Sequence, residues 1–135
     1  MEHLSINYLA VAVSTFSAMI LGALWYGPIF GKAWMAEIGK TEEQLKAEFN
    51  PAKTYGLTII AHFFVSLIIA YLMVLTQAND LSGGLRIGLS LWVAVAGIHF
   101  VHGLFHSQSF KLIFMNIGYD LSCMIAYSVI LSYWR

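Results

Sequence analysis

Four stretches of this sequence are each apolar for about 20 residues, and a chain built that way has few options. They run from about Asn7 to Trp25, Thr54 to Thr76, Gly84 to His106 and Phe110 to Tyr133. A helix of that length crosses the hydrocarbon of a bilayer and satisfies its own backbone groups, which lipid cannot do. The expectation is an all-α membrane protein: four transmembrane helices in an antiparallel bundle, forming one domain over residues 1–135 in contact with lipid.

Composition points the same way. Only 10% of the 135 residues are charged and 59% are hydrophobic, with a mean hydropathy of +0.74. A soluble domain carries about 25% charged residues. The same figures exclude disorder. The lone Cys123 excludes a disulfide scaffold. Seven Lys+Arg balance seven Asp+Glu without a basic stripe, which argues against nucleic acid as a partner. The first stretch has the apolar length of a secretory signal but not its basic flank, since Glu2 and His3 precede it. It reads as a retained helix.

Tyr26 to Lys53 is the one long polar segment. Trp25-Tyr26 suits an aromatic belt, and Gly27-Pro28 should turn the chain out of the first helix. Phe30, Trp34 and Ile38 have helical spacing, which predicts an amphipathic segment along the membrane surface. Thr41 and Gln44 have capping-box spacing for a short helix through Phe49, and Asn50-Pro51 ends it and opens the second span. Lys32, Lys40, Lys46, Lys53 and Lys111 lie on one side of the spans, Arg86 and Arg135 on the other. By the positive-inside bias, the first and third loops are cytoplasmic and both termini outside.

Membrane helices pack through small residues and internal polar groups. Ala10, Ser14, Ala18 and Gly22 form a small-residue row on the first span, and Gly84 and Gly88 a shorter one on the third. Gly83-Gly84 also reads as a turn. Each later span carries a polar stripe, expected to face the bundle interior: Tyr55, Thr58, His62, Ser66, Met73 and Gln77 on the second; His99, His102 and His106 on the third; Asn116, Asp120, Cys123 and Tyr127 on the fourth. Cys123 itself reads as a small core residue.

Counting from the loop side at 1.5 Å per residue puts His62 and His99 each about 12 Å deep and Asp120 about 13 Å deep. His102 and Asn116 form a second level nearer the surface, with His106 at the mouth. Asp120 is the only acid inside a span, and a carboxylate there needs a partner or a proton. An Asp–His pair exchanges a proton near neutral pH. The plainer reading is a static hydrogen bond that fixes helix register. Two histidines and one carboxylate (His62, His99, Asp120) are also a ligand set for Zn or Fe. The His99-x-x-His102 spacing lacks the glutamate of a metalloprotease helix, and no nucleophile elbow, phosphate loop or dinucleotide fingerprint is present. Three classes remain: a small proton-linked transporter or ion-conducting bundle for an unidentified small molecule or ion, a non-catalytic scaffold or accessory subunit, and a metal-binding membrane enzyme. So small a bundle is expected to form a homo-oligomer, most simply a dimer.

ALWYGPIFGKAWM at Ala23 to Met35, TEEQLK at Thr41 to Lys46 and FKLIFMNIGYDL at Phe110 to Leu121 resemble a family of small bacterial four-helix membrane proteins catalogued only as a domain of unknown function. The resemblance covers nearly the whole chain. It implies a four-span protein of the bacterial inner membrane and brings no activity with it. The third-span histidines stand outside these motifs, so within the resemblance Asp120, Asn116 and Tyr119 become the favoured site residues.

Overall fold

The structure, a computed structural model, describes residues 5–134; Glu2, His3 and Arg135 lie outside the described residues. It is all-helical, with four helices long and apolar enough to cross a membrane. In chain order these are α1 (Tyr8–Leu24, continued to Ile29), α4 (Pro51–Leu75), α5 (Leu81–Phe105) and α6 (Phe110–Tyr133); α2 (Gly31–Ile38) and α3 (Glu42–Glu48) lie between the first two.

The expected exit from the first helix at Gly27-Pro28 does not occur there. Pro28 has no N–H, so the carbonyl of Leu24 loses its regular donor. The helix widens instead of stopping: Trp25–Ile29 forms a π-turn in which the Phe30 N–H reaches the Trp25 carbonyl at 2.9 Å. The chain then folds sharply into α2 at Gly31, where a Cβ would lie 2.9 Å from the Tyr26 carbonyl oxygen. α2 ends on Gly39 in the left-handed conformation, φ +70°. The capping box of Thr41 and Gln44 opens α3 as expected, and Asn50 with Pro51 opens α4.

The two tight turns between the last three spans use one device. Gln77 and Ser107 each adopt φ 56°. The Ala78 N–H then bonds back to Met73 O at 2.8 Å, and the Gln108 N–H to Gly103 O at 2.9 Å. Asp80 and Ser109 cap the following helices. Gly83 and Gly84 therefore belong to the first turn of α5, not to a loop.

Helix α6 packs most closely on α5 and α1; α1 packs on α4, and α4 meets α5 and α6 over shorter stretches. Small residues explain the closest contacts. Ala10, Ser14 and Ala18 are fully or almost fully buried. Side chains at Gly84 and Gly88 would collide with Ser132 and Ser128 of α6. The polar stripes of α4 and α6 do turn inward in part, with Ser66, Met73, Cys123 and Tyr127 buried, although Tyr55 and Gln77 are exposed. The stripe of α5 does not. His99, His102 and His106 are all exposed, because α5 meets α6 through its glycines and the histidine face beside them stays uncovered.

Candidate functional site

Helix α6 carries the site, and two tryptophans hold it from opposite neighbours. Trp25 of the π-turn donates its indole N–H to Met115 O at 3.0 Å, and Trp92 of α5 donates to Ile117 O at 2.8 Å. Gly118 leaves room for this, since a Cβ there would sit 3.0 Å from the Trp25 ring. The π-turn also aims Tyr26 at α6, where its hydroxyl donates to Asn116 Oδ1 at 2.7 Å.

One turn further along, Tyr119 donates its hydroxyl hydrogen to Ala18 O at 2.8 Å and lies 3.2 Å from His62 Nε2. Having given its only hydrogen to the carbonyl, the hydroxyl can only accept from His62. In neutral His62 the proton thus sits on Nε2. The other ring nitrogen, Nδ1, is then left to accept from the hydroxyl of Tyr127, its second hydrogen-bond partner. Tyr127 is fully buried. His62 is held at both ends.

Asp120 takes a different partner. Its Oδ2 lies 2.8 Å from His99 Nδ1, with side-chain exposures of 22% for the acid and 46% for the imidazole. The pair is thus half open rather than enclosed. Among the described residues the side chain bonded to Asp120 is that of His99, while Tyr119, its neighbour in the chain, joins Tyr26 and His62. A single belt results, of one carboxylate, two imidazoles and three phenols on α1, α4, α5 and α6.

The shared level expected of His62, His99 and Asp120 therefore resolves into two neighbouring units, His99–Asp120 and His62–Tyr119–Tyr127. The residues of the second level also take separate partners. Asn116 is engaged by Tyr26, while His102 contacts the ring of His106 at a centroid distance of 6.5 Å. Among the described residues no group of three or more His, Cys, Asp or Glu converges to hold a metal ion, so the Zn or Fe set of His62, His99 and Asp120 is not assembled. The physical reason is that two tyrosines hold His62 away from the other two groups. Cys123 is buried, as expected of a core residue.

Sequence reasoning placed Tyr26 in an interfacial belt and Tyr127 in a stripe; it gave neither a role. The available signal for Tyr26 was Pro28 two residues on, which forces the wide turn that redirects it. Trp92 carried no signal, because an indole donating to a helix carbonyl leaves no pattern in sequence.

Beside His62 opens a cleft of about 430 Å³ between the end of α1, α2, the start of α4 and α6. Five aromatic rings line it (Tyr26, Trp34, Phe49, Tyr55 and Tyr119), together with Thr58 and His62. A larger hollow of about 630 Å³ lies at the Thr76–Asp80 turn, lined by polar loop residues and Arg86, and holds none of the groups above.

A family model described as a protein of unknown function (DUF1761) matches residues 9–132. No curated protein and no solved structure matches the chain.

Proposed function

The chain belongs to the DUF1761 family, whose description assigns no activity, and from its own residues we propose that it is a small proton-linked transporter with Asp120 as its proton site. The observation that carries this reading is the Asp120–His99 pair at 2.8 Å inside two spans, still partly open. A carboxylate at membrane depth is costly and marks ion and proton pathways when it occurs. Transfer is simple in chemical terms. The Nδ1 proton of His99 imidazolium passes to Asp120 Oδ2, leaving neutral imidazole and a carboxylic acid, and the reverse step recharges the pair. His62 adds a second imidazole, bonded to α6 through Tyr119 and Tyr127.

We further place the protein in a bacterial plasma membrane. Its 26–53 end is cytoplasmic, on the strength of Lys32, Lys40, Lys46, Lys53 and Lys111 against Arg86. We also read it as a homodimer. Helix α5 is the least covered of the four spans, and beyond the His99–Asp120 pair its exposed face carries His102 and His106. A second copy meeting that end of α5 gives these imidazoles polar partners across the seam and leaves the His99–Asp120 pair open. Crosslinking through His102→Cys, with Cys123 buried, checks this: dimer bands are expected in membranes, and their absence removes the dimer.

The proton reading is tested in liposomes holding a pH-sensitive dye. An imposed membrane potential should drive acidification in the wild type. Asp120→Asn should abolish it and His99→Ala reduce it at least about tenfold, each with helical content unchanged. Equal flux in folded Asp120→Asn overturns the proposal.

A further inference from the structure

Neither Asp120 nor His99 lines the aromatic cleft beside His62, and that lining has a chemistry of its own. Tyr26 meets Trp34 at 5.4 Å and Tyr119 at 5.3 Å, and Phe49 meets Tyr55 at 5.2 Å, every pair edge to face. Rings set at steep angles to one another turn different aspects to their surroundings, so the lining has both π-faces and ring edges to offer a ligand. The hydroxyl of Thr58 and the imidazole of His62 add polar groups, while no lysine or arginine lines the space. Asp120 follows the lining residue Tyr119 directly on α6. At about 430 Å³ the cleft falls within the range of small-molecule sites.

We propose that this cleft binds an organic cation, a quaternary or protonated amine of about the size of benzyltrimethylammonium, seated among Tyr26, Trp34, Tyr55 and Tyr119. Three features select that class. Aromatic faces attract ammonium groups through the ring quadrupole, most strongly where water is displaced. The lining offers no fixed positive charge to repel a cation or to hold an anion. Asp120, next in the chain to the lining residue Tyr119, is the acid inside the spans, and as a carboxylate it lowers the energy of a cation and raises that of an anion, while Lys53 beside Thr54 is exposed at the first turn of α4. An uncharged ligand of equal shape would gain the burial and lose both electrostatic contributions. The aromatic lining stands without the proton reading, because the same rings line the cleft whatever the charge on Asp120.

Isothermal titration of the full chain in uncharged detergent micelles provides the test, with benzyltrimethylammonium as probe and neopentylbenzene as its uncharged isostere. One cation should bind per chain, with the isostere at least about tenfold weaker. Trp34→Ala and, separately, Tyr55→Leu should each weaken the cation at least about tenfold at unchanged melting temperature. Should Trp34→Ala fail to fold, the exposed Tyr55 supplies the result by itself. Tyr133→Leu, an exposed aromatic at the other end of α6, should leave binding as it is. Equal affinity for the isostere, no binding by folded wild type, or unchanged binding in folded Tyr55→Leu each overturns the proposal. Proton flux is measured in amine-free buffer, so failure of either reading is seen without the other.

Discussion

The half of the bundle near the Thr76–Asp80 turn and the half near residues 26–53 use the same four helices in opposite ways. At the first, glycine and serine let α5 and α6 approach until a single Cβ at Gly84 or Gly88 would strike the opposite helix. Ile69 and Met73 are buried nearby. At the second, Gly103 still lets α5 close on Ile113 of α6, but around the site the contacts are long side chains: Trp25, Tyr26, Trp92 and Tyr119 reach across gaps to backbone carbonyls or polar side chains. Lipid gives no hydrophobic drive between helices, so close approach is what holds a membrane bundle together. Separation, bridged by hydrogen bonds, leaves space for a cleft and for a half-open carboxylate. The contrast assigns stability to one half and chemistry to the other.

The largest expected effect breaks the first half. At Gly88 a new Cβ would strike the Ser128 hydroxyl and lie 3.1 Å from the Met124 carbonyl oxygen, which is backbone and cannot swing aside. Gly88→Leu should cost about 3 kcal/mol, the upper end of ordinary overpacking. Gly97, on the same helix, has nothing within 4 Å. Gly97→Leu should change stability by no more than about 0.5 kcal/mol. Unfolding in micelles followed by circular dichroism compares them, and equal losses would mean that close α5–α6 approach is not what stabilises this end.

A middle-sized effect is expected where the two halves join. Tyr127 is fully buried and its hydroxyl bonds to His62 across the bundle. Tyr127→Phe keeps the ring and strips Nδ1 of its partner. The cost should be about 1 kcal/mol, above the ~0.6 kcal/mol average of interhelical hydrogen bonds in membranes. The same unfolding assay reads it. A loss below about 0.3 kcal/mol would mean that His62 finds another partner or water, and the junction would then belong to the open half.

How much of this was legible in the sequence follows the same division. The four helices, the capping box at Thr41 and the proline start at Pro51 depend on local composition and spacing, which a linear pattern records. So does the burial of Ala10, Ser14 and Ala18, since small residues four apart have few other uses in a membrane helix. The site was legible only in its parts. Asp120 was conspicuous as the lone acid in a span, and depth counting put at its level the His99 that it contacts. Depth says nothing of direction around the helix, however. His62 shares that level but turns to Tyr119 and Tyr127. The helical register of α4 allowed both outcomes, and α4's packing against α1 chose between them. The π-turn at Pro28 was missed for a related reason: proline is both a stop signal and a cause of wide turns, and tertiary contacts by Trp25 and Tyr26 settle which.

Among the polar contacts between helices, the smallest effect on stability should come at the residue with the largest proposed role. Asp120 is held by one hydrogen bond, is 22% exposed in its side chain, and packs against no glycine row. In Asp120→Asn the amide oxygen can still accept from the His99 N–H, so the one interhelical bond survives in neutral form. The unfolding free energy should therefore change by no more than about 0.6 kcal/mol, the average value of one such bond. Proton flux, in contrast, should vanish, because an amide oxygen offers no group that titrates in the accessible range. These two measurements on one variant separate register from chemistry. A large drop in stability with flux retained would make the pair a fastener like Gly88 against Ser128, and the open half would then be built by the same rule as the closed one.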